Sequence, residues 1–189
     1  MRVTGGMFCG RRLQTVQAAP LRPTQDRVRE ALFSALADIV PGCAFLDLYA
    51  GVGSVGIEAW SRGAARVCWV EQNRRVFHVL TDNIRSLSDG AVHSTLAPQC
   101  MHVEMFCRRR QASGFDIVFA DPPYARNRAE KVDVAAMLAG TGLLKPGGVL
   151  VLEQGADERI PPGCETWPLL REKRYGSTML RFFQEKGAE

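Results

Sequence analysis

A chain of 189 residues, 46% hydrophobic and 23% charged, has the composition of a globular domain with room for a sizeable core. No apolar run approaches the roughly 20 residues that cross a bilayer, and no signal-peptide core follows Met1–Gly6, so a cytoplasmic protein is expected. The six cysteines form no C-x-x-C pair and the three histidines no ligand spacing, which argues against a metal site or a disulfide framework.

The net charge of +4 is concentrated in residues 1–30, where six arginines face only Asp26 and Glu30. A basic N-terminal arm ahead of a neutral body suggests a polyanionic partner. Residues 1–22 are short apolar pieces broken by glycine, and they predict a small β-hairpin arm outside the main core. Residues 23–189 form the remaining domain. It opens on a helix whose apolar face is Val28, Ala31, Leu32, Ala35, Leu36 and Ile39, at the spacing of one helical side. Pro41-Gly42 ends it.

Strands and helices then alternate. Strands are predicted at Ala44–Tyr49, Arg66–Glu71, Phe115–Ala120 and Gly148–Glu153, and helices at Ser54–Arg62, Arg74–Leu87 and around Glu130–Ala139. Arg171–Gln184 reads as a final hairpin, and 91–113 is the least legible stretch. Short apolar strands alternating with amphipathic helices imply a parallel sheet covered on both faces.

After the first of these strands comes Gly51-Val52-Gly53-Ser54-Val55-Gly56, a Gly-x-Gly-x-x-Gly turn into a helix. Glycines there let the chain turn tightly and let a ligand approach the backbone. Glu71, 20 residues past Gly51 at the end of the next strand, is placed to accept hydrogen bonds from ribose hydroxyls. Asp47 departs from a dinucleotide site. It would repel a pyrophosphate but attract the ammonium of an amino-acid moiety. S-adenosylmethionine carries that ammonium and a ribose, and no phosphate.

The last strand-end motif is Asp121-Pro122-Pro123-Tyr124. An exocyclic amine on a base is a poor nucleophile because its lone pair is delocalised into the ring. A pocket that accepts both N–H bonds turns that lone pair outward. Asp121 offers a carboxylate, the proline segment a fixed backbone carbonyl, and Tyr124 a face for stacking. Asp47, Glu71 and Asp121 each end an apolar strand, so in a parallel sheet all three open onto one crevice.

These motifs resemble the cofactor and catalytic segments of class I methyltransferases acting on exocyclic amines. Such proteins have a Rossmann-like α/β fold with a mostly parallel seven-stranded sheet. Arg2-Val-Thr-Gly-Gly, Gly10-Arg-Arg-Leu, Arg22-Pro-Thr-Gln-Asp-Arg-Val-Arg-Glu-Ala-Leu-Phe33, Ser61-Arg-Gly-Ala64 and Arg171-Glu-Lys173 make the chain similar to the bacterial small-subunit rRNA guanine-N2 methyltransferase D family, from residue 1 to about 184. The resemblance implies a soluble, metal-free, monomeric enzyme that methylates N2 of a guanine in 16S rRNA, position 966 in the usual rRNA numbering. The substrate would be that RNA or a partly assembled small subunit.

By the same resemblance Asp47, Gly51, Gly53 and Glu71 hold S-adenosylmethionine, and Asp121, Pro122 and Tyr124 hold the guanine. Arg2, Arg11, Arg12, Arg22 and Arg27, within the arm and the Arg22–Arg29 segment, grip RNA. His102 takes the place where similar proteins carry an Asp or Asn beside the adenine amino group.

Three other readings use part of this pattern. A nicotinamide oxidoreductase accounts for the glycine turn but not for Asp47 or Asp121-Pro122-Pro123-Tyr124, and lacks a hydride-handling residue. A DNA amino-methyltransferase shares the chemistry but normally needs a larger target-recognition domain. A non-catalytic RNA-binding module would not require Asp121 or Glu71.

Overall fold

The computed structural model describes residues 1–16, 23–88, 94–109, 113–123, 132–165 and 167–185, with 23–25 described in backbone only. Seven strands form one sheet in the order β3-β2-β1-β4-β5-β7-β6. They are β1 (Ala44–Leu48), β2 (Arg66–Glu71), β3 (Thr95–Cys100), β4 (Phe115–Ala120), β5 (Leu144–Gly155), β6 (Leu169–Tyr175) and β7 (Thr178–Gln184). The first five pair in parallel. β7 runs antiparallel between β5 and β6, so the expected Rossmann-like sheet and terminal hairpin are both present.

Each central strand alternates its side chains between two buried layers. Phe45, Val67, Trp69, Ile117, Phe119 and Val151 join α1 (Pro23–Ala35), α2 (Ser54–Ser61) and α3 (Arg74–Ser88) on one face. Leu46, Leu48, Val118, Ala120, Leu150 and Leu152 join α4 (Val103–Cys107) and α5 (Val134–Leu138) on the other. The chain moves outward from β1 through β2 to β3, then crosses back to place β4 against the opposite side of β1. That reversal opens a crevice at the carboxyl ends of β1 and β4, the usual ligand position in such sheets.

Two expectations change. The opening helix stops at Ala35, so its inward face ends early. Ile39 is 44% exposed, and Phe33 and Val40 are buried instead. The N-terminal ribbon, closed by a single bridge between Arg2 and Arg12, is not outside the core. Val3, Phe8 and Leu13 are buried in the α1–α2 layer, with Phe8 edge-on to Trp60 at 4.6 Å.

What pins the ribbon is polar. Glu58 of α2 is fully buried. It accepts from the Thr4 backbone N–H and hydroxyl, both at 2.8 Å, from Arg29 Nε at 3.2 Å and from Arg62 Nε at 2.9 Å. Four donors, two of them cationic, hold this carboxylate without solvent.

Candidate active site

The glycine turn is ordered by the acids beneath it. Gly51 and Gly53 have φ of 56° and 86°, in the left-handed region that only glycine adopts freely. Glu71 Oε2 accepts the Gly51 N–H at 3.0 Å and its Oε1 the Asn73 N–H at 2.7 Å. Asp47 Oδ2 accepts the Gly56 N–H at 2.8 Å. Gly53 N–H is taken by the Ala50 carbonyl.

Gly56 is needed for a different reason. A Cβ there would lie 2.1 Å from Trp69 Nε1, so the helix can approach β2 only if this position is bare.

With the N–H groups of all three glycines already engaged, the turn is poorly suited to a pyrophosphate. A buried acid beneath it makes it more so. Asp47 is 1% exposed. Burial pushes its carboxyl up to about 8, against the lowering effect of the Gly56 bond, and the charges of Asp121 and Glu71 add to the rise. A cationic ammonium placed here would relieve that strain, so the residues fit S-adenosylmethionine.

The crevice is a cavity of about 210 Å³. Asp47, Tyr49 and Gly51 line one side, Phe119 and Asp121 another, and Val28, Arg29 and Leu32 of α1 close it. Tyr49 has φ of 60°, an uncommon conformation outside glycine. Among the described residues its buried hydroxyl has no hydrogen-bond partner. Strain of this kind gathers at functional sites.

Asp121 lines the cavity and is exposed, yet the surrounding protein pushes its carboxyl up to about 6 through desolvation. Pro122 is half-buried and Pro123 exposed. Tyr124 and Arg22 lie outside the described residues.

The remaining predicted site residues are dispersed. His102 is exposed and precedes α4, making no side-chain cap bond, whereas Val103 is buried. Arg2, Arg11, Arg12 and Arg27 are exposed, and Arg11 Nη2 donates to the Ser86 carbonyl at the end of α3. Arg29, within the segment expected to grip RNA, is 4% exposed. It is paired to Glu58 and Asp26, so its charge is engaged inside the fold.

Sequence reasoning missed Glu153. It lines the cavity, and burial together with the Asp121 charge holds its carboxyl well above the usual range, opposed by Arg29. A signal was available: Glu153 ends a predicted strand, as the other three acids do.

The model of the family described as conserved hypothetical protein 95 matches residues 1–184. The chain belongs to this family. A Haemophilus influenzae relative, ribosomal RNA small subunit methyltransferase D, is 34% identical over 185 residues, covering 97% of this chain and 93% of its own. The Escherichia coli protein of the same name is 32% identical over 186 residues, covering 98% and 90%. The solved structure of Escherichia coli yhhF superposes with a TM-score of 0.84 at 29% identity, covering 100% of this chain and 99% of its own. The chain is a class I methyltransferase dependent on S-adenosylmethionine.

Proposed function

We propose that this protein methylates the exocyclic N2 of a guanine in small-subunit ribosomal RNA, presented as 16S RNA or as a partly assembled subunit in the cytoplasm. The observation that carries this reading is the convergence of Asp47 and Asp121 on one cavity at the point where the sheet order reverses. The relatives' shared name, ribosomal RNA small subunit methyltransferase D, supports the choice of RNA.

S-adenosylmethionine supplies an electrophilic methyl group on a sulfonium. Asp47 holds the ammonium, Glu71 the ribose hydroxyls, Gly51 and Gly53 the backbone approach, and His102 sits beside the adenine. Asp121 accepts one N2–H of the guanine, and the carbonyl of Pro122 accepts the other. The amine nitrogen is thereby fixed with its lone pair turned out of the ring plane, and fixing distance and angle is most of the contribution. The amine becomes acidic only once methylated, so Asp121 need not be a strong base before transfer.

Tyr124 stacks on the base, which must leave its helix or loop at a cost of a few kcal/mol. Arg2, Arg11, Arg12, Arg22 and Arg27 contact phosphates. Removing Arg2 and Arg12 should flatten the salt dependence of RNA affinity by about two units.

The test is transfer of labelled methyl from S-adenosylmethionine to small-subunit RNA, naked and protein-bound. Label is expected on guanine N2. Asp121→Ala should lower turnover at least about 100-fold, as loss of a positioning contact does, with cofactor binding nearly intact. Label on another atom rejects the reading, and lost cofactor binding in the variant rejects the role of Asp121.

A further inference from the structure

β4 and β5 are parallel and in register, with Ala120 opposite Leu152. The next residues, Asp121 just past the end of β4 and Glu153 still within β5 opposite Leu180 of β7, therefore lie side by side, about 4.8 Å apart as neighbouring strands are. Strand alternation puts both on the layer of Phe119 and Val151, facing α1. Both line the cavity that also holds Asp47 and Arg29.

Their environment differs from that of every other acid around them. Asp47 and Glu71 bond to backbone N–H groups, and Glu58 and Asp26 are paired with Arg29. Among the described residues no hydrogen bond or ion pair engages Asp121 or Glu153. Holding one amine requires one such carboxylate, so the second needs an account.

The chemistry of the acceptor supplies it. In adenine and cytosine the Watson–Crick ring nitrogen beside the exocyclic amine carries a lone pair. In guanine N1 carries a hydrogen, so the edge presents two adjacent donors, N2–H and N1–H. Two neighbouring carboxyl groups match that edge and oppose the other two.

We propose that Glu153 is the specificity-determining residue of the acceptor pocket, accepting the N1–H of guanine while Asp121 holds the N2 amine. This assignment rests on the guanine-N2 reading above. It does not depend on one ionisation state. A neutral Glu153 carboxyl keeps its carbonyl oxygen for N1–H and adds an O–H that can donate to O6.

The test replaces the target guanine, mapped with wild-type protein, by 2-aminopurine in an otherwise identical substrate. 2-Aminopurine keeps the C2 amine but has a lone pair at N1. Wild-type protein should prefer guanine by about 10- to 100-fold in kcat/KM, the scale of one hydrogen bond to an ionisable group. Glu153→Met, close in volume and without an acceptor, should lose that factor on guanine while staying within about 2-fold on 2-aminopurine, so that discrimination collapses. Glu153→Gln, which keeps a carbonyl oxygen and an adjacent donor, should recover most of the preference.

S-adenosylmethionine binding, measured on each variant, should be unchanged. A Glu153→Met variant that loses equally on both substrates, or on neither, overturns the assignment and leaves the guanine-N2 reading standing. Wild-type protein that forms no N2-methylguanine overturns both.

Discussion

The two halves of the crevice use the same residue type in opposite ways. On the β1–β2 side, Asp47 and Glu71 accept hydrogen bonds from Gly56, Gly51 and Asn73, so the acids shape the turn before any ligand arrives. On the β4–β5 side, Asp121 and Glu153 line the cavity without shaping any backbone, and their carboxyl groups are held above the ordinary range. One half is built as scaffold and binding site together, and the other, among the described residues, is left unsatisfied for a partner to complete. Substitutions on the first side should therefore disturb folding and cofactor binding at once. Those on the second should disturb turnover and spare the fold.

Gly56→Ala tests the first half with the largest effect. The added Cβ meets Trp69 Nε1, Cε2 and Cδ1 within 2.8 Å. The indole cannot retreat, because Trp69 is fully buried and donates to the Gly53 carbonyl. Overpacking of this kind costs about 1–3 kcal/mol or more, which denaturant unfolding would read directly. Adding Trp69→Leu should recover part of the loss. If Gly56→Ala unfolds at the wild-type midpoint, the helix is not pressed against β2 as described.

The contrast also decides what could be read from the chain. Asp47, Gly51, Gly53 and Glu71 lie within a span of local spacing, where strand, turn and helix follow one another, so their convergence was legible. Asp121 was legible through an unusual tetrapeptide. Glu153 is marked in the sequence only by its place at the end of a predicted strand. It becomes part of the site only because β5 pairs with β4 in a register that the spacing does not encode. Arg29 misled for a related reason: one of six nearby arginines, it was distinguished only by the fold bringing Glu58 beneath it. The ribbon's place is set from far along the chain, because Thr4 and Phe8 donate to Glu58 and Ser61 of α2, more than fifty positions away. Ile39 followed the helical period faithfully, but the helix ended first.

Asp47→Asn sharpens the comparison by separating the two duties of one acid. An amide oxygen can still accept the Gly56 N–H, so the turn should survive. Burial pushes the folded carboxyl up to about 8 from its ordinary 3.8, so between those limits the native state binds a proton that the unfolded chain does not. Wild-type stability must then fall as pH rises across that interval. Asp47→Asn should remove this fall, unfolding about 2–4 °C higher than wild type at pH 8 for each kcal/mol relieved and gaining nothing near pH 4. Affinity for S-adenosylmethionine should drop about 10- to 100-fold with the lost charge-assisted contact. An unchanged affinity would move the ammonium away from Asp47.

The smallest effect probes the acceptor half without a substitution. Asp121, raised to about 6 by desolvation, is faced by Glu153 from β5, Asp47 from β1 and Arg29 from α1. Burial pushes Glu153 and Asp47 up as well, and Arg29 opposes the rise at Glu153. Lowering the pH through about 6 then removes one acceptor charge from the amine pocket. The kcat/KM, which reports groups of the free enzyme, should be about half its plateau near that pH and fall about tenfold for each further unit. S-adenosylmethionine binding, measured in parallel, separates this titration from any change at Asp47. A profile flat down to the ordinary carboxylate range would mean that Asp121 meets the base from open water, and the unsatisfied half of the crevice would lose its reason for being so.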